Sequence, residues 1–163
     1  SLMSIGNLLA GFLIAMLPGK LGMKPSILLL TIGYALGYAV KMGYKVCIIT
    51  GGRGKTLENR LRMLGINRYY TDCMDKIRAM REYFAEEGID PANAIYMGDD
   101  IPDYEVMQIA GLPACPADAA PEIKQIARYI SPFGGGQGCG RDIIEQILRA
   151  QGKWISDKTA FGW

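Results

Sequence analysis

From Gly33 onward, short apolar runs alternate with amphipathic stretches that end on glycine, and few architectures accept that alternation. Lys45–Thr50 (KVCIIT) is a brief, continuous apolar run closed by Gly51-Gly52, as a parallel strand covered on both faces requires. Ala94–Met97 (AIYM) repeats the pattern ahead of Gly98-Asp99-Asp100. Arg68–Thr71, Leu112–Cys115 and Tyr129–Ser131 read as three further short strands. The spacing predicts helices over Tyr34–Met42, Lys55–Leu64, Asp75–Glu87, Pro102–Ala110, Pro121–Ala127 and Arg141–Ala150. Gly43, Gly65 and Gly88 stop the first three, since glycine tolerates the left-handed turn that ends a helix. Strands separated by helices at steady spacing wind into an α/β, three-layer, doubly wound parallel sheet. Residues 1–163 are expected to form one such domain, a size that buries a sizeable core.

The first third of the chain is unlike the rest. Before Glu58 there are six cations (Lys20, Lys24, Lys41, Lys45, Arg53, Lys55) and no Asp or Glu; afterwards twelve cations face sixteen acids. Two apolar runs, Leu8–Leu17 and Ile27–Val40, precede or overlap the first predicted helix. Each is shorter than the ~20 residues of a membrane-spanning helix, so no membrane association is expected.

Composition removes several chemistries. With no histidine, a Ser-His-Asp or Cys-His nucleophile, a histidine base and a His-ligated zinc site are all excluded. Cys47, Cys73, Cys115 and Cys139 form no CxxC pair and read as reduced thiols of a cytoplasmic protein. A net charge of +2 gives no field that would draw nucleic acid. Catalysis must therefore run on carboxylates, lysine, hydroxyls, thiols or an oxygen-bound metal.

In doubly wound sheets, ligands bind at the carboxyl ends of the strands. One strand ends at Thr50-Gly51-Gly52, another at Gly98-Asp99-Asp100-Ile101-Pro102-Asp103, and Lys76 opens the helix between them. Three carboxylates within five residues repel one another unless a cation neutralises them. Mg2+ suits this, because it takes carboxylate oxygens and keeps waters for a phosphate. Helix capping by Asp100 or Asp103 is the alternative use of the same residues. Thr50 and the glycines after it offer a hydroxyl and backbone N–H groups to a phosphate, or else form an ordinary turn.

This set resembles the haloacid dehalogenase superfamily of phosphatases. Thr50 matches its second motif, Lys76 its third and Gly98–Asp103 its fourth. Within the superfamily the chain looks most like the small capless enzymes that hydrolyse 3-deoxy-D-manno-octulosonate 8-phosphate in lipopolysaccharide biosynthesis. The strings IITGGRGKTLENRLRMLGI, DKI, YMGDDIPDYEVM, GLPACPADAAPEIK and GGGQGCGRDIIE carry the likeness. The resemblance implies a capless Rossmannoid fold and an Mg2+ cofactor held by Asp99 and Asp100. It also implies a catalytic set of Thr50, Lys76 and Asp103, with Thr50 and Lys76 on the phosphoryl group. Asp103 would hold the lysine or a metal-bound water. Gly51, Arg60, Gly135 and Gly136 would bind the phosphorylated sugar acid. Arg60 would reach a neighbour's site within a homotetramer.

One motif is not found. The superfamily's first motif places an Asp nucleophile and an Asp acid/base after the first strand. The equivalent segment, near Phe12-Leu13-Ile14, continues as Ala15-Met16-Leu17-Pro18-Gly19. Without a carboxylate the covalent route has no starting atom, so the chain as written is expected to be inactive. A frameshift or sequence error over residues 1–32, a natural non-catalytic relative and an engineered scaffold all remain open. The abrupt junction with an intact pattern at Gly33 favours the first.

Overall fold

The computed structural model describes residues 34–158 apart from Arg53. The expected first strand near Phe12-Leu13-Ile14 lies outside them. The described elements run α1 (34–41), β1 (Cys47–Ile49), α2 (Lys55–Met63), β2 (Arg68–Tyr70), α3 (Lys76–Glu87), β3 (Ile95–Met97), α4 (Tyr104–Ile109), β4 (Leu112–Cys115), α5 (Pro121–Ile126), β5 (Tyr129–Ile130) and α6 (Cys139–Ala150).

All pairing is parallel. β1 pairs with β2, aligning Ile48 with Tyr69, and β3, β4 and β5 pair in that order, with Tyr96 opposite Pro113. Among the described residues these ladders form two sheets, one of two strands and one of three. Side chains join them into one stack. Ile48, Met97 and Ala114 share a core with residues of α1, α2 and α6, such as Leu36, Leu61 and Ile144. The adjacent residues Ile49, Tyr96 and Cys115 point the other way, into a core with Met80 of α3, Val106 of α4 and Ile123 of α5. Because successive strand residues face opposite sides, one apolar run serves two helix layers, which gives the three-layer α/β architecture.

Several boundaries differ from expectation by a few residues, and one of them shapes the site. The helix expected over Pro102–Ala110 opens with a 3-10 turn, Ile101–Asp103, and becomes α-helical at Tyr104. Pro102 brings no N–H, the Asp100 side chain accepts the Ile101 N–H at 2.8 Å, and Asp103 N–H donates to the Asp100 carbonyl at 2.8 Å. This tighter winding sets where Asp103 points. The glycine loop expected over 134–140 is also shorter, since α6 already includes Cys139 and Gly140.

Candidate active site

The carboxyl ends of β1 and β3 and the start of α3 bring Thr50, Lys76 and Asp103 into the protein interior. Each is buried, and Asp103 is fully so. Asp75 caps α3 by accepting the Arg78 N–H at 3.0 Å, which fixes the helix start and with it Lys76. The Lys76 ammonium lies 3.1 Å from Asp103 Oδ1. The Tyr96 hydroxyl donates to the same oxygen at 2.6 Å, and the Asp99 N–H donates to Oδ2 at 3.3 Å. A buried carboxylate thus has a cation and two further donors, as burial of a charge demands.

Gly98 makes room for this arrangement. A β-carbon there would lie 2.4 Å from Asp103 Cβ and 2.9 Å from Met107 Sδ, so only glycine lets Asp103 fold under the end of β3. Burial, and then the Asp103 charge, push the Tyr96 phenol well above its ordinary range. It therefore remains a donor throughout the neutral range.

Asp99 stands in a different state. Burial and then the Asp103 charge push its carboxyl up to about 7, against a smaller opposing pull from Lys76. A cation on this carboxylate would reverse that shift. Among the described residues no three His, Cys, Asp or Glu side chains converge on one point. Mg2+ still fits Asp99, because it is commonly held by one or two carboxylates while waters and a substrate phosphate complete its shell. The exposed Asp100 carboxylate caps the 3-10 turn, which is the capping alternative seen in its sequence.

The other expected residues divide. Thr50 Oγ1 accepts the Gly52 N–H at 3.0 Å, so that N–H serves the turn. Gly51 is exposed beside it. Arg60 is half-buried on α2 and makes no ion pair among the described residues; the nearby Glu58 pairs with Arg62 at 3.6 Å. Gly135 and Gly136 lie in the turn before α6, where Gly136 takes φ 72° and the Gly135 N–H donates to Asp118 Oδ1 at 2.6 Å. Two participants were missed in the sequence: Tyr96 and Asp118. A tyrosine in an otherwise apolar buried strand was the available signal, since its hydroxyl needs a partner. Asp118 gave none, because its partner lies 17 residues away.

A buried lysine–carboxylate pair thus lies beside a second, desolvated carboxylate at a strand end. The sequence pattern of haloacid dehalogenase-like hydrolases matches residues 70–134. The solved 3-deoxy-D-manno-octulosonate 8-phosphate phosphatase of Yersinia pestis superposes with a TM-score of 0.76 at 36% identity, covering 78% of this chain and 69% of that one. The chain belongs to the haloacid dehalogenase-like hydrolase family. Its relatives within the family include the 3-deoxy-D-manno-octulosonate 8-phosphate phosphatase KdsC of Escherichia coli K12, 36% identical over 121 residues. That match covers 74% of this chain and 64% of the relative, so the chain spans a little under two thirds of the relative's length. A Moraxella catarrhalis phosphatase of the same name, solved with magnesium ion, phosphate ion and KDO, is 27% identical with a TM-score of 0.76, covering 82% of this chain and 76% of that one. Among the described residues no helix is long and apolar enough to cross a membrane.

Proposed function

We propose that this chain is a magnesium-dependent phosphatase acting on a phosphorylated sugar acid of the 3-deoxy-D-manno-octulosonate 8-phosphate type. The buried Lys76–Asp103 pair beside Asp99 is the observation that carries the reading. Lys76 meets the phosphoryl charge, and Asp103 keeps the ammonium aimed at it. Thr50 supplies a hydroxyl to a phosphoryl oxygen while its Oγ1 still accepts the Gly52 N–H. Asp99, with Asp100 beside it, holds the metal, and Mg2+ when bound supplies neutralisation of phosphate charge. Gly51, Gly135, Gly136 and Arg60 contact the sugar acid, with Arg60 serving a neighbouring subunit of a cytoplasmic homotetramer. Residues 1–163 act as one domain in this reading.

A second reading, a non-catalytic binding protein for the same ligand, is favoured by one observation. No Asp or Glu precedes Glu58, so the family's aspartyl nucleophile has no candidate there. One experiment separates the two. Protein whose intact mass matches the written sequence is incubated with the 8-phosphate and Mg2+, and phosphate release is followed beside calorimetric binding of inorganic phosphate. Binding without release supports the second reading. Steady release restores the enzyme, and absence of both binding and release removes the phosphate site altogether.

A further inference from the structure

The geometry points to Asp118 as a positioning residue that locks the glycine loop 134–138 to the strand-end site and thereby sets affinity for the sugar-acid part of the ligand. This rests on the function proposed above, because that reading places the sugar at Gly135 and Gly136.

Asp118 lies in the loop after β4, and that loop touches both halves of the site. On one side the Ala120 N–H donates to the Asp99 carbonyl at 2.9 Å, tying the loop to the metal-binding carboxylate's own residue. On the other side the Ala117 N–H donates to the Phe133 carbonyl at 3.0 Å, and Asp118 Oδ1 accepts the Gly135 N–H at 2.6 Å. This carboxylate holds the loop backbone at Gly135, and the buried Cys139 thiol meets it at Gly136. The remaining backbone bonds there are local, such as Gln137 N–H to the Gly134 carbonyl at 3.0 Å.

The loop needs such a hold. Gly136 at φ 72° and Gly138 at φ 107° occupy left-handed backbone that glycine reaches easily and leaves as easily. The carboxylate also packs closely: a β-carbon on Gly134 would lie 3.2 Å from Asp118 Oδ2 and from Gln137 Oε1. Gly134 thus lets the acid approach, and the acid fixes the loop. A charge-assisted bond of this kind is roughly twice as strong as a neutral one. With Asp118 in place, the sugar subsite and Asp99 keep one spacing, and the ligand need not order the loop on binding.

The test compares Asp118→Ala and Asp118→Asn with the wild type, using inorganic phosphate and 3-deoxy-D-manno-octulosonate as separate calorimetric ligands. Asp118→Ala is expected to weaken the sugar acid about tenfold while phosphate affinity moves less than about twofold; Asn, which keeps an acceptor oxygen, should recover most of the loss. Equal weakening of both ligands, or of neither, overturns the assignment. Amide exchange gives a second readout that needs no ligand. The Gly135 amide should exchange faster in Asp118→Ala while Ala120 stays protected, and unchanged exchange at Gly135 likewise overturns the lock. If the wild type bound no phosphate, the function reading would fall, and the Gly135 amide would still decide the role of Asp118.

Discussion

Asp99 and Asp103 share one loop, yet the structure gives them opposite fates. Asp103 has lost all contact with water and gained Lys76, Tyr96 and a backbone N–H in exchange. Asp99 has lost much of its water and gained a neighbouring negative charge. Two residues of one type in one motif therefore do different work. One is a structural ion pair that holds a lysine; the other is a carboxyl that burial and its neighbour push up to about 7.

The contrast predicts which change hurts most. Asp103→Ala leaves Lys76 buried without its counter-ion, and urea unfolding should show a loss of about 3–5 kcal/mol. A loss under about 1 kcal/mol would mean that the lysine simply swings out to water. Replacing both partners, Lys76→Met with Asp103→Leu, should cost less than Asp103→Ala alone, because no orphan charge remains.

Asp99→Asn should act in the opposite direction. A carboxyl raised from its ordinary value to about 7 binds its proton more tightly folded than unfolded. It therefore costs the fold stability that deepens from about pH 4 to about pH 7 and is constant above. Asn removes that slope and should stabilise the chain at pH 8 by about 1–3 kcal/mol, a range already discounted for partial exposure. Mg2+ should raise wild-type stability at pH 8 and leave Asp99→Asn unmoved; an identical response in both would remove Asp99 as the metal residue.

Tyr96→Phe deletes one of the donors on the Asp103 carboxylate and keeps the ring, so the expected loss is about 1.5–3 kcal/mol in the same unfolding assay. A loss as large as that of Asp103→Ala would put the tyrosine rather than the lysine at the centre of the network. The exposed pair of Lys45 and Glu87, 3.0 Å apart, sets the lower end: Lys45→Ala should cost less than about 1 kcal/mol, and less again in high salt.

What the sequence disclosed follows a physical division. Strands and helices were legible because their limits are local: Gly88 at φ 61° ends α3 where a glycine stop was expected. Lys76 and Asp103 were legible as members of a set at successive strand ends. Which of the two uses Asp100 and Asp103 would serve was not legible, since either acid could cap a helix. The difference comes from Pro102 and Gly98: the 3-10 turn leaves Asp100 at the surface and carries Asp103 beneath a residue with no side chain. Tyr96 and Asp118 depend on partners from other elements, and no local pattern encodes those meetings.

The described strands pair with neighbours that are close along the chain. β1 and β2 are separated by one helix, and β3, β4 and β5 follow each other in chain order, so each ladder closes only short loops. Short closures cost little chain entropy and form early. Ile48 shares one core with Met97 and Ala114, and Ile49 shares the other with Tyr96 and Cys115, so the described strands should open together as one cooperative unit. Thr50 comes from the first ladder, Asp99 and Asp103 from the second, and Lys76 from the helix that connects them. The cluster of Thr50, Lys76 and Asp103 therefore draws on segments on both sides of α3, and it is complete only when both ladders are packed on their shared cores.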